Sequence, residues 1–239
     1  MVKADRPERP KRFYKSAQTE PAGDRWQVTL DGRVIRTPAS AELAVPSLDL
    51  AEAIAGEWNG QGPEIDIQAM HLTRLANVAI DRTPATRAEL VEQAVQYCET
   101  DLTCFLDGDP EIRAQQEAVW RRWREWAGKS LDIVLVPVEG LLAAPQPAAS
   151  LDAVRRVAGG YDDFRLTGLA FACGLYGSGV LALAVCERAL DADQAFDASI
   201  IDETIQAARW GLDSEAAAAQ AGKRIESAAV GAWVAALST

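Results

Sequence analysis

A long uncharged apolar stretch in the second half of the chain constrains the fold more than any other feature. Residues 166–186 contain no charged side chain, and they lie between Arg165 and Glu187. Their length is close to the about 20 apolar residues that span a bilayer, and their clustered glycines also allow a nucleotide-binding loop. A third interpretation is a pair of buried helices joined at Gly177-Ser178-Gly179. Because a glycine inside a helix costs about 1 kcal/mol, the glycine cluster favours a break and therefore the buried helix pair.

The overall composition is that of a globular protein with a core large enough to cover this pair. Hydrophobic residues make up 49% of the 239 residues, and charged residues make up 25%. The formal net charge of −11 argues against nucleic acid as a partner, because phosphate contacts need a basic surface. The one basic cluster, residues 6–15, forms a short N-terminal arm.

Cysteine and histidine usage argues against metal and nucleophile chemistry. None of the cysteines forms a C-x-x-C pair, and His71 is the single histidine. We therefore expect neither a zinc site nor a disulfide framework, and no cofactor or metal. The charged N-terminus lacks the apolar core of a signal peptide. This predicts a cytoplasmic protein, or a mitochondrial-matrix protein if the chain comes from an organelle.

Strand signals are confined to the N-terminal part of the chain. Asp31-Gly32 separates residues 26–30 from residues 33–37, and this dipeptide is typical of a type I′ hairpin turn. The corresponding register places Val28 opposite Ile35. A further short strand is predicted over residues 43–45.

Two helices are predicted to follow these strands. Ser47 is a good N-cap for a helix that reaches about Trp58, and an apolar stripe predicts a second helix over residues 70–80. We expect Trp58 to be an interior anchor. The break after residue 80 marks the predicted domain boundary. The predicted fold class is α+β, with a small β-containing domain over 1–83 and an all-α orthogonal helical bundle over 84–239.

The predicted helical domain opens with two well-signalled helices. Thr83-Pro84 or the capping box at Thr86-x-x-Glu89 starts the first, and Asp109-Pro110 starts the second. The second helix carries a tryptophan stripe at Trp120, Trp123 and Trp126. This stripe predicts a core-facing side of the helix, and a peptide-binding face is the alternative.

The remaining elements of this domain have weaker signals. Residues 131–136 alternate weakly, which predicts a short strand, and Ser150 is expected to cap a helix that stops at Gly159-Gly160. After the apolar pair, Asp191 or Asp193 opens one helix that runs to Trp210. A last helix is predicted from Ser214, with an apolar stripe of Ile225, Ala229, Trp233 and Leu237.

One polar cluster stands out on the helix that ends at Trp210. Asp202, Gln206 and Trp210 are spaced by four residues and so share a helix face, while Ile201, Ile205 and Ala208 take a neighbouring apolar face. The simplest interpretation is a solvated surface. A carboxylate beside an aromatic side chain also suits protein recognition, which predicts a docking face.

An enzyme is the alternative function. Asp202, Glu203 and His71 would then be acid–base groups acting on a small molecule. That hypothesis requires a concave pocket that brings two of these side chains within hydrogen-bond reach.

A series of short motifs recurs in a fixed order along nearly the whole chain: Arg12-Phe13-Tyr14-Lys15, Asp31-Gly32-Arg33, Thr37-Pro38, Ile54-Ala-x-Glu57-Trp58, Gln61, Met70-His-Leu-Thr73, Thr100-Asp-Leu-Thr-Cys104, Gln116-x-x-x-Trp120, Trp126, Ser178-x-x-Leu181, Gln206 and Trp210-Gly211. In this order the motifs resemble a known family, the assembly chaperones of the F1 sector of ATP synthase that bind the F1 alpha subunit.

The resemblance implies a chaperone without catalytic activity. Such a protein would bind and shield the unassembled alpha subunit until the beta subunit replaces it, without ATP. It also implies a β-containing N-terminal domain followed by a helical one. We expect no membrane insertion and a monomer.

The resemblance also implies that an acidic residue on the helix before Trp210-Gly211 is functionally important. That residue corresponds here to Asp202 or Glu203, where the family usually has Glu at both positions. A second departure is Ser214-Glu215 followed by alanines, where many relatives have an acidic–His–Asp stretch. The candidate partner-binding residues are Asp202, Glu203, Gln206 and Trp210.

Overall fold

The computed structural model describes residues 9–140, 142–211 and 213–237. These residues form two compact units. The first extends to Arg82 and includes the chain end from Ala236, and the second is Thr83–Ala235. The main sheet lies in the first unit, whereas the second is mostly helical, which confirms the predicted α+β fold class.

The sheet of the first unit is built around one central strand. All pairs are antiparallel, and the strands are β1 (Ala17–Ala22), β2 (Arg25–Leu30), β3 (Arg33–Val34) and β4 (Ala44–Val45). The strand β2 pairs along its length with β1, while β3 and β4 pair with opposite ends of β2. The strand predicted over residues 43–45 is therefore confirmed as β4.

The turn between β2 and β3 has the predicted conformation. Asp31 and Gly32 have φ angles of 48° and 78°, as a type I′ turn requires. The backbone N–H of Ile35 donates to the carbonyl of Val28 at 2.9 Å, so the predicted register is confirmed. Both Val28 and Ile35 are buried.

The strand β1 was not predicted, because its sequence is polar and contains Pro21. It lies at the edge of the sheet, where a strand tolerates a proline because the missing N–H need not pair. Gly23, with a φ of 67°, makes the tight connection from β1 to β2.

The first two helices are α1 (Leu48–Asn59) and α2 (His71–Asp81). Ser47 caps α1 by accepting a hydrogen bond from the N–H of Leu50 at 3.2 Å, as predicted. Trp58 is buried on the inward face of α1, which agrees with its expected role as an anchor. The neighbouring Glu57 accepts hydrogen bonds from the N–H groups of Leu72 and Thr73 at 2.7 and 2.8 Å. A side chain of α1 thus caps α2.

The second unit consists mainly of helices joined by short connections. They are α3 (Thr83–Glu99), α4 (Pro110–Leu131), α5 (Ala148–Gly159), α6 (Asp163–Tyr176), α7 (Gly179–Cys186), α8 (Ala192–Ser199), α9 (Ile201–Trp210) and α10 (Ser214–Ala236). Helix α3 begins at the predicted Thr83 and is kinked at Thr86, the competing start signal. Asp109 caps α4 as predicted.

The apolar stretch is the buried helix pair α6 and α7, as predicted. Gly177 ends α6 in the left-handed conformation with a φ of 64°. Ser178 then caps α7 by accepting from the N–H of Leu181 at 3.0 Å. Every residue of α7 is buried. In the part of the chain that the structure describes, no helix has both the length and the apolar character needed to cross a membrane.

A buried carboxylate holds the turn of this helix pair in place. Asp101 accepts hydrogen bonds from the Ser178 hydroxyl at 2.8 Å and from the N–H of Val180 at 2.9 Å. Burial raises the pKa of Asp101, while these hydrogen bonds act in the opposite direction. Asp101 therefore acts as a second cap for α7, supplied from the segment that follows α3.

Two predictions between α4 and α5 are wrong. Residues 131–136 do not form a strand; instead β6 (Val138–Glu139) pairs in parallel with β5 (Phe105–Leu106). Ser150 does not cap α5, because that helix begins at Ala148. The Ser150 hydroxyl instead bonds both backbone groups of Val134, at 3.0 Å to the N–H and 2.7 Å to the carbonyl.

Two further predictions near the C-terminus are corrected. The helix expected from Asp191 to Trp210 is two helices, because Ile200 breaks it with φ −114° and ψ 22°. In α10 the predicted apolar stripe holds only in part: Trp233 is completely buried, whereas Ile225 is 60% exposed. The buried side carries Ser227, whose hydroxyl bonds Tyr176 and the carbonyl of Ala192.

Candidate docking surface

The predicted docking residues all lie on α9. We call Asp202, Glu203, Gln206 and Trp210 the α9 face. Ile205 is the only buried residue of α9. Ala208, which was expected on the apolar side, is exposed, whereas Ile201 is partly buried against the core.

Asp202 is half-buried and joined to α4. Its Oδ1 accepts a hydrogen bond from Nε2 of Gln116 at 2.8 Å. Gln116 is itself buried, and its Oε1 accepts from the N–H of Asp107 at 2.7 Å. Burial raises the pKa of the Asp202 carboxyl, and the bond from Gln116 opposes that rise. The side chain is therefore oriented by the fold.

Further polar contacts hold this region against α4. The indole N–H of Trp120 donates to the carbonyl of Ala198, just before α9, at 2.8 Å. Arg209 forms an ion pair with Asp109 at 3.8 Å. Asp202, near the start of α9, and Arg209, near its end, are thus both tied to the same helix, so the α9 face stands on a rigid support.

The other members of the α9 face point toward solvent. Glu203 and Gln206 are exposed, and Trp210 is 76% exposed. Within the described ranges, the side chains of Glu203 and Gln206 make no hydrogen bond or ion pair with the rest of the protein. A tryptophan that is this exposed gains little from folding, whereas tryptophan is enriched among the residues that dominate protein–protein binding.

The α9 face combines negative charge with an apolar surface. An oriented carboxylate and a second acidic side chain attract a cation or an N–H donor, and Trp210 offers an apolar surface two helical turns away from Asp202. A partner that matches the α9 face therefore carries a basic group beside an exposed apolar side chain.

The enzyme hypothesis finds no support in this geometry. His71 lies in α2 of the first unit, whereas Asp202 and Glu203 lie in α9 of the second. Among the described residues, no hydrogen bond or ion pair joins any two of these three side chains. Asp202 and Glu203 are consecutive in a helix and so point about 100° apart.

The tryptophan stripe of α4 faces the core, as the first interpretation predicted. Trp120 is completely buried, and Trp123 and Trp126 are partly buried against the same core. The buried line of α4 also contains Gln116 and Arg124, which apolar pattern analysis missed. Their spacing of four residues from Trp120 on either side is the signal that could have placed them on its face.

Comparisons with known proteins point in one direction. Residues 11–128 match the sequence profile of a family described as ATP12 chaperone protein. The crystal structure of Atp12 from Paracoccus denitrificans matches with a TM-score of 0.88 and 35% sequence identity, over 95% of this chain and 98% of that chain. An aspartate-to-lysine mutant of P. denitrificans Atp12p matches with a TM-score of 0.85 and 36% identity, over 95% and 97% of the two chains.

A third structure extends the comparison to another organism. The Atu1473 protein from Agrobacterium tumefaciens matches with a TM-score of 0.91 and 32% identity, over 95% of this chain and 86% of that chain. The family profile stops at residue 128, before α9 begins. The similarity that reaches the α9 face is therefore that of the whole structures.

Proposed function

This chain belongs to the ATP12 chaperone family, and from that premise we propose that it binds the unassembled F1 alpha subunit through the α9 face. The general role, as a chaperone in ATP synthase assembly, follows from family membership. The finer role is to shield the alpha subunit until the beta subunit replaces the chaperone, without ATP. In this account the protein acts as a monomer in the bacterial cytoplasm, or in the mitochondrial matrix if it comes from an organelle.

One observation carries the choice of surface: an oriented, half-buried carboxylate lies on the same helix face as an exposed tryptophan. Because burial raises the pKa of Asp202, its ionised form is disfavoured by the fold at neutral pH. A carboxylate that is retained at a cost to stability is typical of a functional position. The exposed Trp210 is a second feature that folding alone does not explain.

Shielding of this kind requires no nucleotide. An unassembled subunit exposes the apolar surface that later forms its interface, and such surfaces promote aggregation. A chaperone that covers this surface with moderate affinity is displaced when a tighter-binding partner arrives, because the two compete for one site. The free energy that drives displacement of the chaperone comes from the interface between the alpha and beta subunits.

The proposal is tested by capture of F1 alpha subunit on immobilised chaperone. Glu203→Lys and Asp202→Lys place a positive charge on the α9 face and are expected to weaken capture by about tenfold to a hundredfold, which corresponds to about 1.4–2.8 kcal/mol. Glu99→Lys is the matched control, because it makes the same charge change at an exposed site on α3. The control is expected to bind like wild type.

Folding is checked in the same samples by circular dichroism and thermal melting. Glu203→Lys is expected to keep the wild-type melting temperature, because its side chain is exposed and has no polar partner among the described residues. Asp202→Lys loses the contact with Gln116, so Glu203→Lys is the cleaner variant. Wild-type capture by both folded variants would refute the assignment of the α9 face.

A further inference from the structure

The first unit contains a surface pocket that the proposed function does not use. Its volume is about 620 Å³, within the range of about 300–1,000 Å³ found for ligand sites. Its lining includes Phe13, Tyr14, Arg33, Ile35, Arg36 and Trp58. All of them belong to the first unit, so this pocket is separate from the α9 face.

An aromatic wall forms one side of the pocket. The rings of Phe13 and Tyr14 meet edge to face with centroids 5.4 Å apart, and those of Tyr14 and Trp58 do so at 5.7 Å. The Tyr14 hydroxyl donates to the backbone carbonyl of Trp58 at 2.6 Å, which fixes the Tyr14 ring. Phe13 is nevertheless 75% exposed. The wall therefore presents an ordered aromatic edge to solvent.

Trp58 contributes to the pocket lining but is almost completely buried. It is only 7% exposed, and its indole N–H has no hydrogen-bond partner among the residues that the structure describes. The indole nitrogen has almost no accessible surface, so a ligand in the pocket does not reach it. Recognition at this wall therefore depends on the exposed ring of Phe13 and on the charged side chains around it.

The rim of the pocket is positive, although the whole chain carries a net charge of −11. Arg33 is exposed and makes no ion pair with any described residue. Arg36 pairs with Glu42 at 3.6 Å, but both side chains are more than half exposed, so the pair is weak.

The one acidic group at the pocket is already occupied. The Asp31 carboxylate accepts hydrogen bonds from the N–H groups of Lys15 and Ser16, both as short as 3.0 Å. These backbone bonds hold the pKa of Asp31 below its usual value, so the carboxylate stays ionised and engaged by the backbone. Arg33 therefore has no carboxylate partner among the described residues, and Arg36 has only its weak, exposed pair with Glu42, so both can attract a negative charge from outside.

We propose that this pocket binds an acidic peptide segment of a partner protein. An apolar or aromatic side chain of the segment packs against Phe13 and Tyr14, and its carboxylates meet Arg33 and Arg36. Charge separates this site from the α9 face, which attracts a basic partner. The two proposals can therefore fail independently.

The test uses two fluorescein-labelled heptapeptides and the full-length protein. One peptide alternates Glu with Phe and Leu, and the other replaces each Glu with Lys. Fluorescence anisotropy should show binding of the acidic peptide at least tenfold tighter than that of the basic one. Arg33→Glu and Phe13→Ala should each weaken binding of the acidic peptide at least tenfold. Both side chains are exposed, so these substitutions should leave folding intact. Arg74→Glu, the same charge change on α2 outside the pocket, and Glu203→Lys should bind it like wild type.

A second measurement reports on the aromatic wall directly. In an ¹H–¹⁵N spectrum, the indole signal of Trp58, assigned by its loss in Trp58→Phe, should shift as the acidic peptide is added, because Trp58 lines the pocket and its ring contacts Tyr14. Equal binding of the two peptides, wild-type affinity of Arg33→Glu, or an unmoved Trp58 signal at saturation would each overturn the proposal. Absence of any binding at millimolar peptide would do the same.

Discussion

The contact between α7 and α3 gives the sharpest prediction about stability. A Cβ on Gly179 would lie 2.3 Å from Sγ of Cys98 and 3.3 Å from the carbonyl oxygen of Ala94, so Gly179→Ala forces the two helices apart. Cys98 is completely buried and cannot swing into solvent. Overpacking of this kind costs about 1–3 kcal/mol, and removing a glycine from the unfolded chain returns about 0.4–1 kcal/mol.

The expected net loss for Gly179→Ala is about 1–2 kcal/mol, which lowers the melting temperature by roughly 2–8 °C for a unit of this size. Urea and thermal unfolding followed by circular dichroism measure it. Gly222→Ala is the control, because Gly222 lies within α10 and nothing lies within 4 Å of the added Cβ. This control is expected to stabilise the protein by about 0.5–1 kcal/mol.

A double-mutant cycle tests the cause of that loss. Cys98→Ala removes the atom closest to the new methyl group and is expected to cost about 1 kcal/mol by itself. The double variant with Gly179→Ala should then lose less than the sum of the two single losses, by at least about 0.5 kcal/mol. Additive losses, or a Gly179→Ala protein as stable as wild type, would show that the close approach is not what requires glycine.

Other predictions concern the α9 face and the first unit. Asp202→Asn should match or exceed wild-type stability near pH 7, because burial raises the pKa of the Asp202 carboxyl and folding therefore works against its ionised form. In urea unfolding, the stability difference between Asp202→Asn and wild type should shrink as the pH falls through the pKa of Asp202 in the folded protein. Trp210→Ala should change the unfolding free energy by less than about 0.5 kcal/mol, yet weaken capture of F1 alpha about tenfold in a pull-down. Trp58→Ala should cost about 3–5 kcal/mol in urea unfolding and Trp58→Phe clearly less, and equal losses would argue against a packing role.

Local chemistry explains which elements could be predicted from the sequence. The Ser47 cap, the Asp31-Gly32 turn and the Gly177-Ser178-Gly179 break depend on residues within a few positions of each other. Contacts between residues that are far apart in the sequence explain the predictions that were wrong. The hydroxyl of the buried Ser227 donates to the carbonyl of Ala192 and is also hydrogen-bonded to the Tyr176 hydroxyl. With this side of α10 facing inward, Ile225 points outward.

Several of the residues that carry the family resemblance stabilise the fold. Glu57 caps α2, and Asp101 caps α7. The guanidinium of Arg12 donates to the carbonyls of Asn59 and Gln61. These side chains satisfy backbone groups of their own unit, so much of the resemblance reports on the fold. Sequence spacing does place Asp202 and Trp210 on one helix face, but the support from Gln116 depends on tertiary packing.

Displacement of the chaperone by the beta subunit is the decisive test of alpha-subunit shielding. F1 alpha subunit is captured on the immobilised chaperone, and purified beta subunit is added without nucleotide. The account predicts that alpha is retained before the addition and released with beta afterwards, and that Glu203→Lys retains little alpha at the start. Failure to retain alpha, or release that requires ATP, would contradict it.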